Sequence, residues 1–177
     1  CKVLVVGAPA NTNALICAQY APSLPKENFF ALSRLDQNRA CGMIAQRAKA
    51  SVADVRNVVV WGTQGRGIPD AEHVTIKGRP LKQALTSDQD TSWLQETLMQ
   101  DLRARGPEIA KARKASSALS TARAIADQVR DLHCGAMAGE IVSMGVWSEK
   151  NPYGIAEGLN ISLPVQCLGR GKYRVAP

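Results

Sequence analysis

The sequence predicts an α/β fold at the start of the chain and an α+β fold after it. Residues 3–6 form a continuous apolar run that ends at Gly7, a pattern typical of a strand buried on both faces of a parallel sheet. A second apolar strand is predicted at residues 55–61, and the stretch between the two is mostly helical, as in α/β layering. From residue 107 onward a long helical stretch precedes three short strands, and this order favours an α+β arrangement.

The composition is that of a folded globular protein of about one domain's length. Of the 177 residues, 45% are hydrophobic and 21% are charged, which excludes intrinsic disorder. No apolar run approaches the roughly 18 residues that a membrane-spanning helix needs, and the N-terminus lacks the apolar centre of a secretory signal. The net charge is +7, but the basic residues are scattered and aromatic residues make up only 5% of the chain. We therefore expect neither a nucleic-acid partner nor membrane association.

The five cysteines are odd in number and widely spaced, at positions 1, 17, 41, 134 and 167. They include no C-x-x-C pair, so the pattern predicts neither a disulfide framework nor a metal site. It favours a reducing, cytoplasmic setting.

Two helices are predicted between the first strand and residue 50. Asn11 or Thr12 is expected to cap a short helix that reaches Tyr20 and is ended by the prolines after it. A longer helix is predicted over residues 33–50, because apolar residues recur on one stripe at positions i, i+3, i+4 and i+8 counted from Ala40.

The strand at residues 55–61 is followed by a glycine-rich loop, residues 62–67. This loop imitates a phosphate-binding loop, but no helix is predicted directly after it, as such a loop requires. A weak strand is predicted at residues 74–76. Ser92 and Gln95 then have the spacing of a capping box and predict the start of another helix.

The predicted helix after Ser92 ends at Gly106 and Pro107. An alanine-rich helical stretch over residues 107–132 comes next, with a break near Ser116 and Ser117, and its second part is expected to bury a face that includes Ile125. The remaining members of that face are Ala118, Ala122, Val129 and Leu132. The closing strands are predicted at residues 141–147, 161–165 and 173–175.

Six segments carry a resemblance to a known family. They are residues 7–13 (GAPANTN), 25–29 (PKENF), 34–39 (RLDQNR), 60–64 (VWGTQ), 111–125 (KARKASSALSTARAI) and 139–146 (GEIVSMGV). Together they are similar to the cytosolic-type malate dehydrogenases of the lactate/malate dehydrogenase superfamily, and the resemblance covers essentially the whole chain. It implies the end of a Rossmann-type parallel sheet over residues 1–32 and a malate dehydrogenase-type C-terminal catalytic domain over residues 33–177. It also implies that the NAD-binding N-terminal half and the last C-terminal helix of the family lie outside this chain.

The resemblance assigns roles to several residues. Val6, Gly7 and Ala8 correspond to the segment that passes the nicotinamide of NAD. Arg39 corresponds to the arginine that binds the substrate carboxylate through two parallel hydrogen bonds, for which a guanidinium is well suited. Asp36 corresponds to the carboxylate that orients the catalytic histidine. Without the resemblance, the spacing of Asp36 and Arg39 indicates only an i, i+3 ion pair on a helix.

Two positions depart from the family pattern. Ala8 stands where the family has an asparagine that contacts nicotinamide and substrate, and Gln64 stands where the catalytic histidine belongs. A primary amide does not titrate near neutral pH, so it does not exchange the hydroxyl proton that interconversion of a 2-hydroxy acid and a 2-oxo acid requires. We expect Gln64 to pair with Asp36 in place of the imidazole. His73 and His133 are not expected to replace the missing histidine.

Three interpretations of the function remain open. The chain belongs to a malate dehydrogenase-like protein with impaired turnover, to an active NAD-dependent 2-hydroxy-acid dehydrogenase of altered specificity, or to a non-catalytic paralogue retained for binding or assembly. A minor alternative is an anion-binding module built on Arg39. The expected ligand is a dicarboxylate or a 2-oxo or 2-hydroxy acid, and a homodimer is expected because exposed apolar strand edges favour association.

Overall fold

The computed structural model describes all 177 residues and contains a five-stranded main sheet in the order β1-β2-β8-β9-β10. β1 and β2 are parallel, and the remaining neighbours in this sheet are antiparallel. The strands are β1 Val3–Val5, β2 Phe29–Ala31, β3 Val55–Arg56, β4 Val59–Trp61, β5 Ile68–Asp70, β6 Thr75–Ile76, β7 Arg79–Pro80, β8 Val142–Trp147, β9 Asn160–Gly169 and β10 Lys172–Val175.

Five α-helices pack around this sheet and around a second group of short strands. They are α1 Ala10–Tyr20, α2 Arg34–Arg47, α3 Asp88–Ser92, α4 Leu98–Arg113 and α5 Ala118–Cys134. A π-helical turn at Trp93–Thr97 joins α3 to α4. None of the helices is both long and apolar enough to cross a membrane.

The predicted change from α/β to α+β is confirmed. β1, α1 and β2 form a parallel strand-helix-strand unit in which Val3 lies opposite Phe29. Ala31 of β2 lies opposite Gly145 of β8, so the parallel part of the sheet continues directly into antiparallel strands. Sequence reasoning did not predict β2, although residues 29–32 are a fully buried apolar run.

The prediction for residues 55–61 was wrong in two respects. The segment is broken at Asn57, which has a positive φ of 60°, so it forms two short strands. Neither lies in the main sheet, because β3 pairs with β6 and β4 pairs with β5, both antiparallel. Residues 3–6 are also only half-buried, since β1 lies at the edge of the main sheet and has one neighbour.

Two predicted helix boundaries were wrong. The helix begins at Asp88, not near Ser92, because Ser87 is the N-cap and its Oγ accepts a hydrogen bond from the Asp90 N–H at 3.1 Å. Pro107 lies inside α4 and does not end it. Packing of the helix overrides the local cost of a proline there, since Leu98 and Leu102 are buried in the core.

The buried face of α5 also differs from the predicted apolar stripe. The break between α4 and α5 is where it was expected, but the side chains that α5 buries include Asp127, Gln128 and Asp131, whereas Val129 is exposed. α5 packs on α2, and Arg34 of α2 forms an ion pair with Asp131 at 2.8 Å. The polar face is buried because α2 supplies polar partners for it.

Two main apolar clusters hold the molecule together. One lies between α2, α4 and the short strands and includes Ile44, Val58 and Leu98. The other covers the main sheet and includes Phe30 and Leu163. All five cysteines are free, and no group of three or more His, Cys, Asp or Glu side chains is placed to hold a metal ion.

Candidate functional site

The predicted site residues meet where the residues after β4 lie between α1 and α2. We call residues 62–67 the Gln64 loop. The Gln64 N–H donates to Asn11 Oδ1 of α1 at 3.0 Å, and the Gly65 N–H donates to Asp36 Oδ2 of α2 at 2.8 Å. The fold therefore brings Gln64 beside both the turn that follows β1 and the buried carboxylate on α2.

A buried polar network fixes the strand that leads into this loop. The Val60 N–H donates to Ser143 Oγ at 2.7 Å, and Ser162 Oγ donates to the Val60 carbonyl at 2.6 Å. The Ser143 N–H in turn donates to Gln37 Oε1 of α2 at 2.8 Å. Ser162 and Gly62 also exchange two backbone hydrogen bonds, so β8, β9 and α2 together set the position of the loop entrance.

Asp36 is a buried carboxylate near the start of α2, with 3% of its surface exposed. Burial raises the pKa of its carboxyl above the ordinary value, while the hydrogen bond from the Gly65 N–H and the positive charge of Arg39 act in the opposite direction. No atoms of Asp36 and Arg39 approach within ion-pair distance, so the simple i, i+3 ion pair is not formed.

Arg39 lies one turn further along α2 and is half-buried. Its Nη2 donates to Ser117 Oγ at 3.3 Å, and its buried Nε has no partner. Burial lowers the pKa of its guanidinium, Asp36 opposes this shift, and Arg105 adds to it. An arginine nevertheless stays protonated in proteins. A guanidinium whose only hydrogen-bond partner is a hydroxyl suits a carboxylate ligand.

Gly106 of α4 lies directly beside the Arg39 guanidinium. A Cβ placed on Gly106 would be 3.5 Å from Nη1 and 3.6 Å from Nη2 of Arg39. The glycine therefore lets the α4 backbone pass close to the cation without covering it with a side chain.

The expected hydrogen bond between Gln64 and Asp36 is not formed. The backbone of Gly65 takes Asp36 Oδ2, and the side-chain Oε1 of Gln64 is buried without any hydrogen-bond partner. The prediction was wrong because it considered side chains alone, whereas the backbone of the next residue satisfies the carboxylate.

Val6, Gly7 and Ala8 directly follow β1 and lead to the first turn of α1. Val6 packs among the cluster that contains Leu32 and Leu35, whereas Gly7 and Ala8 are exposed. Nothing lies within 4 Å of a Cβ placed on Gly7, so the space beside its backbone is open. For the phosphates of a dinucleotide, residues 1–177 offer no strand that leads through a glycine-rich turn into a helix N-terminus.

The prediction that Asn11 or Thr12 caps α1 was wrong, and Asn11 has a different role. Pro9 occupies the N-cap position of α1, and Asn11 is buried in its first turn. Asn11 Nδ2 donates to Asn160 Oδ1 at 3.4 Å, while its Oδ1 accepts from Gln64. Asn11 thus links α1 to the Gln64 loop, a role that the helix-capping pattern did not predict.

Ser117, Ser143 and Ser162 also contribute to the site and were missed. For Ser117 and Ser143 the only available signal was their place inside the family-like segments, and Ser162 lies outside those segments, where a single serine has no distinctive spacing. Neither His73 nor His133 hydrogen-bonds to a site residue. His73 is exposed in the turn before β6, and His133 lies in the last turn of α5.

Comparison with known proteins identifies the class to which this fold and site belong. Residues 33–177 match the family model for the lactate/malate dehydrogenase, alpha/beta C-terminal domain. The chain belongs to the lactate/malate dehydrogenase family, as the sequence motifs predicted.

Among curated proteins the chain is similar to cytoplasmic malate dehydrogenases. It is 44% identical over 180 residues to that of Zea mays, which covers 99% of this chain and 53% of the relative. It is 48% identical over 167 residues to that of Gallus gallus, which covers 93% of this chain and 50% of the relative. The chain therefore spans about half the length of the curated relatives it matches.

Solved structures agree with this assignment. Malate dehydrogenase from Naegleria fowleri superposes with a TM-score of 0.89 at 38% identity, over 99% of this chain and 52% of that one. Trichomonas vaginalis lactate dehydrogenase in complex with NADH and oxamate superposes with a TM-score of 0.90 at 33% identity, over 99% of this chain and 54% of that one.

Proposed function

We propose that this chain is the substrate-binding part of a malate dehydrogenase-like protein in which proton transfer, and with it malate turnover, is impaired. The observation that carries the proposal is the side chain at position 64. It is an amide, it makes no hydrogen bond to Asp36, and neither histidine of the chain is hydrogen-bonded within the site. The site thus retains groups that bind an acid and lacks the group that exchanges its proton.

The proposed division of the chain is supported by the change from parallel to antiparallel pairing between β2 and β8. Residues 1–32 supply β1 and β2, the end of a dinucleotide-binding sheet, and residues 33–177 form the substrate domain. NAD is the proposed cofactor, with Val6, Gly7 and Ala8 beside the nicotinamide. When bound, nicotinamide supplies a hydride acceptor or donor, while the phosphates and ribose need residues beyond this chain. A relative solved in complex with NADH, the Trichomonas vaginalis lactate dehydrogenase, supports this cofactor.

The residues of the chain perform three tasks in the proposed site. Arg39 binds a ligand carboxylate, because its guanidinium has only a serine hydroxyl as a hydrogen-bond partner and no acidic side chain within ion-pair distance. Asp36 holds the Gln64 loop through the Gly65 N–H. Gln64 contacts the group at C2 of the ligand but neither stores nor releases a proton, since an amide lacks a pKa near neutrality.

A second candidate function is a non-catalytic paralogue that binds an acid or assembles with a partner. Ala8 favours it, because a methyl group there offers no hydrogen bond in place of the asparagine expected in the family. An active dehydrogenase of altered specificity requires another proton donor and is the weaker alternative.

The test is an assay of the native polypeptide that contains residues 1–177, with oxaloacetate and NADH and, in the reverse direction, with L-malate and NAD. Loss of a positioned acid-base group lowers the rate by about 10²–10⁴-fold, so we expect turnover lower by that factor than in a histidine-containing relative. Calorimetric binding of L-malate, with Arg39→Ala as the variant that loses it, measures the retained binding. Turnover comparable to that of the relative contradicts the impaired enzyme, and absence of L-malate binding contradicts the substrate site.

The proposed assembly is a homodimer, and the proposed location is the cytoplasm. β1 leaves one edge of the main sheet without a partner, and α5 exposes Leu119 and Val129. The names of the relatives from Zea mays and Gallus gallus and the five free cysteines favour the cytoplasm. Light scattering tests the dimer, and a stable monomer at moderate concentration contradicts it.

A further inference from the structure

Two buried asparagines, Asn11 of α1 and Asn160 of β9, form a series of hydrogen bonds that ends at the Gln64 loop. We call these two residues the asparagine pair, and they are 4% and 6% exposed. Asn160 Nδ2 donates to the Phe29 carbonyl of β2 at 3.1 Å, and Asn11 Nδ2 donates to Asn160 Oδ1 at 3.4 Å. Asn11 Oδ1 then accepts from the Gln64 N–H at 3.0 Å. The pair therefore connects the buried strand β2 to the backbone of residue 64.

The two ends of this series fix the orientation of both amides. The Phe29 carbonyl only accepts, so the NH₂ group of Asn160 must face it and Oδ1 of Asn160 faces Asn11. The Gln64 N–H only donates, so Oδ1 of Asn11 must face it and the NH₂ group of Asn11 faces Asn160. Each side chain thus uses one donor and one acceptor, a combination that neither an apolar side chain nor a carboxylate supplies.

The Gln64 N–H depends on this pair because it has no other acceptor. Gln64 lies outside the helices and strands, and its N–H forms no backbone hydrogen bond. The N–H of the next residue, Gly65, is held by Asp36 Oδ2 at 2.8 Å. Side chains of two different helices therefore hold two consecutive N–H groups, so the position of residue 64 relative to Asp36 depends on both.

We infer that Asn11 and Asn160 are positioning residues for residue 64, the reactive position of the proposed site. The inference rests on the proposed function, because it takes residue 64 as the residue that faces C2 of the ligand. Asn11 acts directly on the Gln64 backbone, and Asn160 acts through Asn11. Loss of either asparagine releases the Gln64 N–H and leaves Asp36 as the remaining side-chain anchor of the loop.

The first test is amide hydrogen exchange, resolved to single residues by NMR, in the native polypeptide that contains residues 1–177. Thr63 is the internal reference, because its N–H forms no backbone hydrogen bond. After correction for intrinsic rates, the N–H groups of Gln64 and Gly65 should exchange at least about tenfold more slowly than that of Thr63. This comparison uses the unmodified protein, and equal rates at Thr63 and Gln64 overturn the inference.

Variants of the pair test its order. Asn11→Leu removes the acceptor at nearly constant size and should accelerate exchange at Gln64 about tenfold, since one hydrogen bond is worth about one decade in an equilibrium constant. Asn160→Leu should accelerate it less, about threefold, because Asn160 acts through Asn11 by the longer 3.4 Å contact. The double variant should exchange at Gln64 no faster than Asn11→Leu alone. The control is Asn13→Ala in the same helix, whose side chain donates to the Gly7 carbonyl at 2.9 Å, and it should leave exchange at Gln64 unchanged.

A second measurement connects the position of residue 64 to turnover. In a Gln64→His background, adding Asn11→Leu should lower kcat for oxaloacetate reduction at least about tenfold, because a displaced acid-base group transfers its proton less well. KM for oxaloacetate should stay within about twofold, since Arg39 still binds the carboxylate. A purely structural role would not separate the two constants in this way.

The outcomes distinguish the inference from the proposed function. If Gln64→His does not raise turnover, the proposed role of position 64 is wrong, and the exchange rates still decide whether the pair positions that residue. If Asn11→Leu leaves exchange at Gln64 unchanged, or accelerates it equally throughout the main sheet, the positioning role is wrong. It is also wrong if Gln64→His restores turnover and adding Asn11→Leu leaves kcat unchanged. If the effects of the two leucine substitutions multiply, the asparagines act independently and their action in series is wrong.

Discussion

Replacing Gln64 with histidine should restore proton transfer, particularly when Ala8→Asn is introduced with it. Asp36 is positioned for this change, because its carboxylate contacts the residue that follows position 64 at 2.8 Å. A positioned acid or base is worth about 10²–10⁴ in rate, which corresponds to about 3–5 kcal/mol of transition-state stabilisation. We therefore expect the double variant to reduce oxaloacetate at least about 100-fold faster than the unmodified protein.

The assay follows NADH oxidation in the native polypeptide that contains residues 1–177, from pH 5.5 to pH 9. The new imidazole lies near the Asp36 carboxylate, and a negative neighbour raises a histidine pKa. Oxaloacetate reduction uses the protonated imidazole, so the rate should fall as pH rises through that raised pKa. The unmodified protein should show no titration of this kind.

Two controls distinguish a catalytic effect from a general one. Gln83→His introduces the same residue at an exposed position in the turn after β7 and should leave the rate unchanged. Asp36→Asn, added to Gln64→His, should remove most of the gain, because an amide does not stabilise the imidazolium. A folded double variant whose rate rises by less than about tenfold would refute our view that the missing proton carrier limits turnover.

Three further predictions concern stability. Because the Asp36 pKa is raised in the folded state, the contribution of Asp36 to the free energy of unfolding should fall as pH rises from the unfolded pKa through the folded one. Asp36→Asn should remove this contribution, so the difference in unfolding free energy between the unmodified protein and the variant should change with pH in urea unfolding between pH 3 and pH 7. A difference that does not depend on pH contradicts the assignment. Gly145→Ala places a Cβ against the backbone of β2, 2.9 Å from a carbonyl oxygen, and should lower the free energy of unfolding by about 1–3 kcal/mol in the same assay. The control Gly42→Ala places a Cβ with no atom within 4 Å and should not destabilise the protein. Ser143→Ala leaves the buried Val60 N–H without an acceptor and should also cost about 1–3 kcal/mol; a loss below about 0.5 kcal/mol speaks against the network.

Apolar patterning predicted the helices and the closing strands where the buried faces are apolar. It failed at α5, whose buried face carries Asp127, Gln128 and Asp131. Hydrophobic periodicity predicts the buried face of a helix only when that face is apolar. The buried face of α5 is polar, because Arg34 and Asn38 of α2 provide ion-pair and hydrogen-bond partners for it. A buried polar face of this kind can be predicted only when the sequences of both helices are considered together.

Motifs located Asp36, Arg39 and Gln64, because the family resemblance rests on short segments around them. The hydrogen bonds that arrange these residues could not be predicted, since they join distant parts of the chain. Asn11 and Gln64 are 53 positions apart, and the bond between them uses a backbone N–H that every residue but proline possesses. Residue types therefore do not indicate where backbone hydrogen bonds of this kind form.

The electrostatics of the site support the proposed separation of acid binding from proton transfer. The buried charge of Asp36 is unfavourable in the folded state, as its raised pKa shows, and an imidazolium at position 64 would compensate it. Gln64 brings no charge, so the compensation comes only from the Gly65 N–H and, at longer range, from Arg39. Arg39 in turn has no acidic partner within ion-pair distance, and its buried Nε remains free. We propose that a ligand carboxylate is the counter-charge of Arg39, and such binding would not require a proton carrier at position 64.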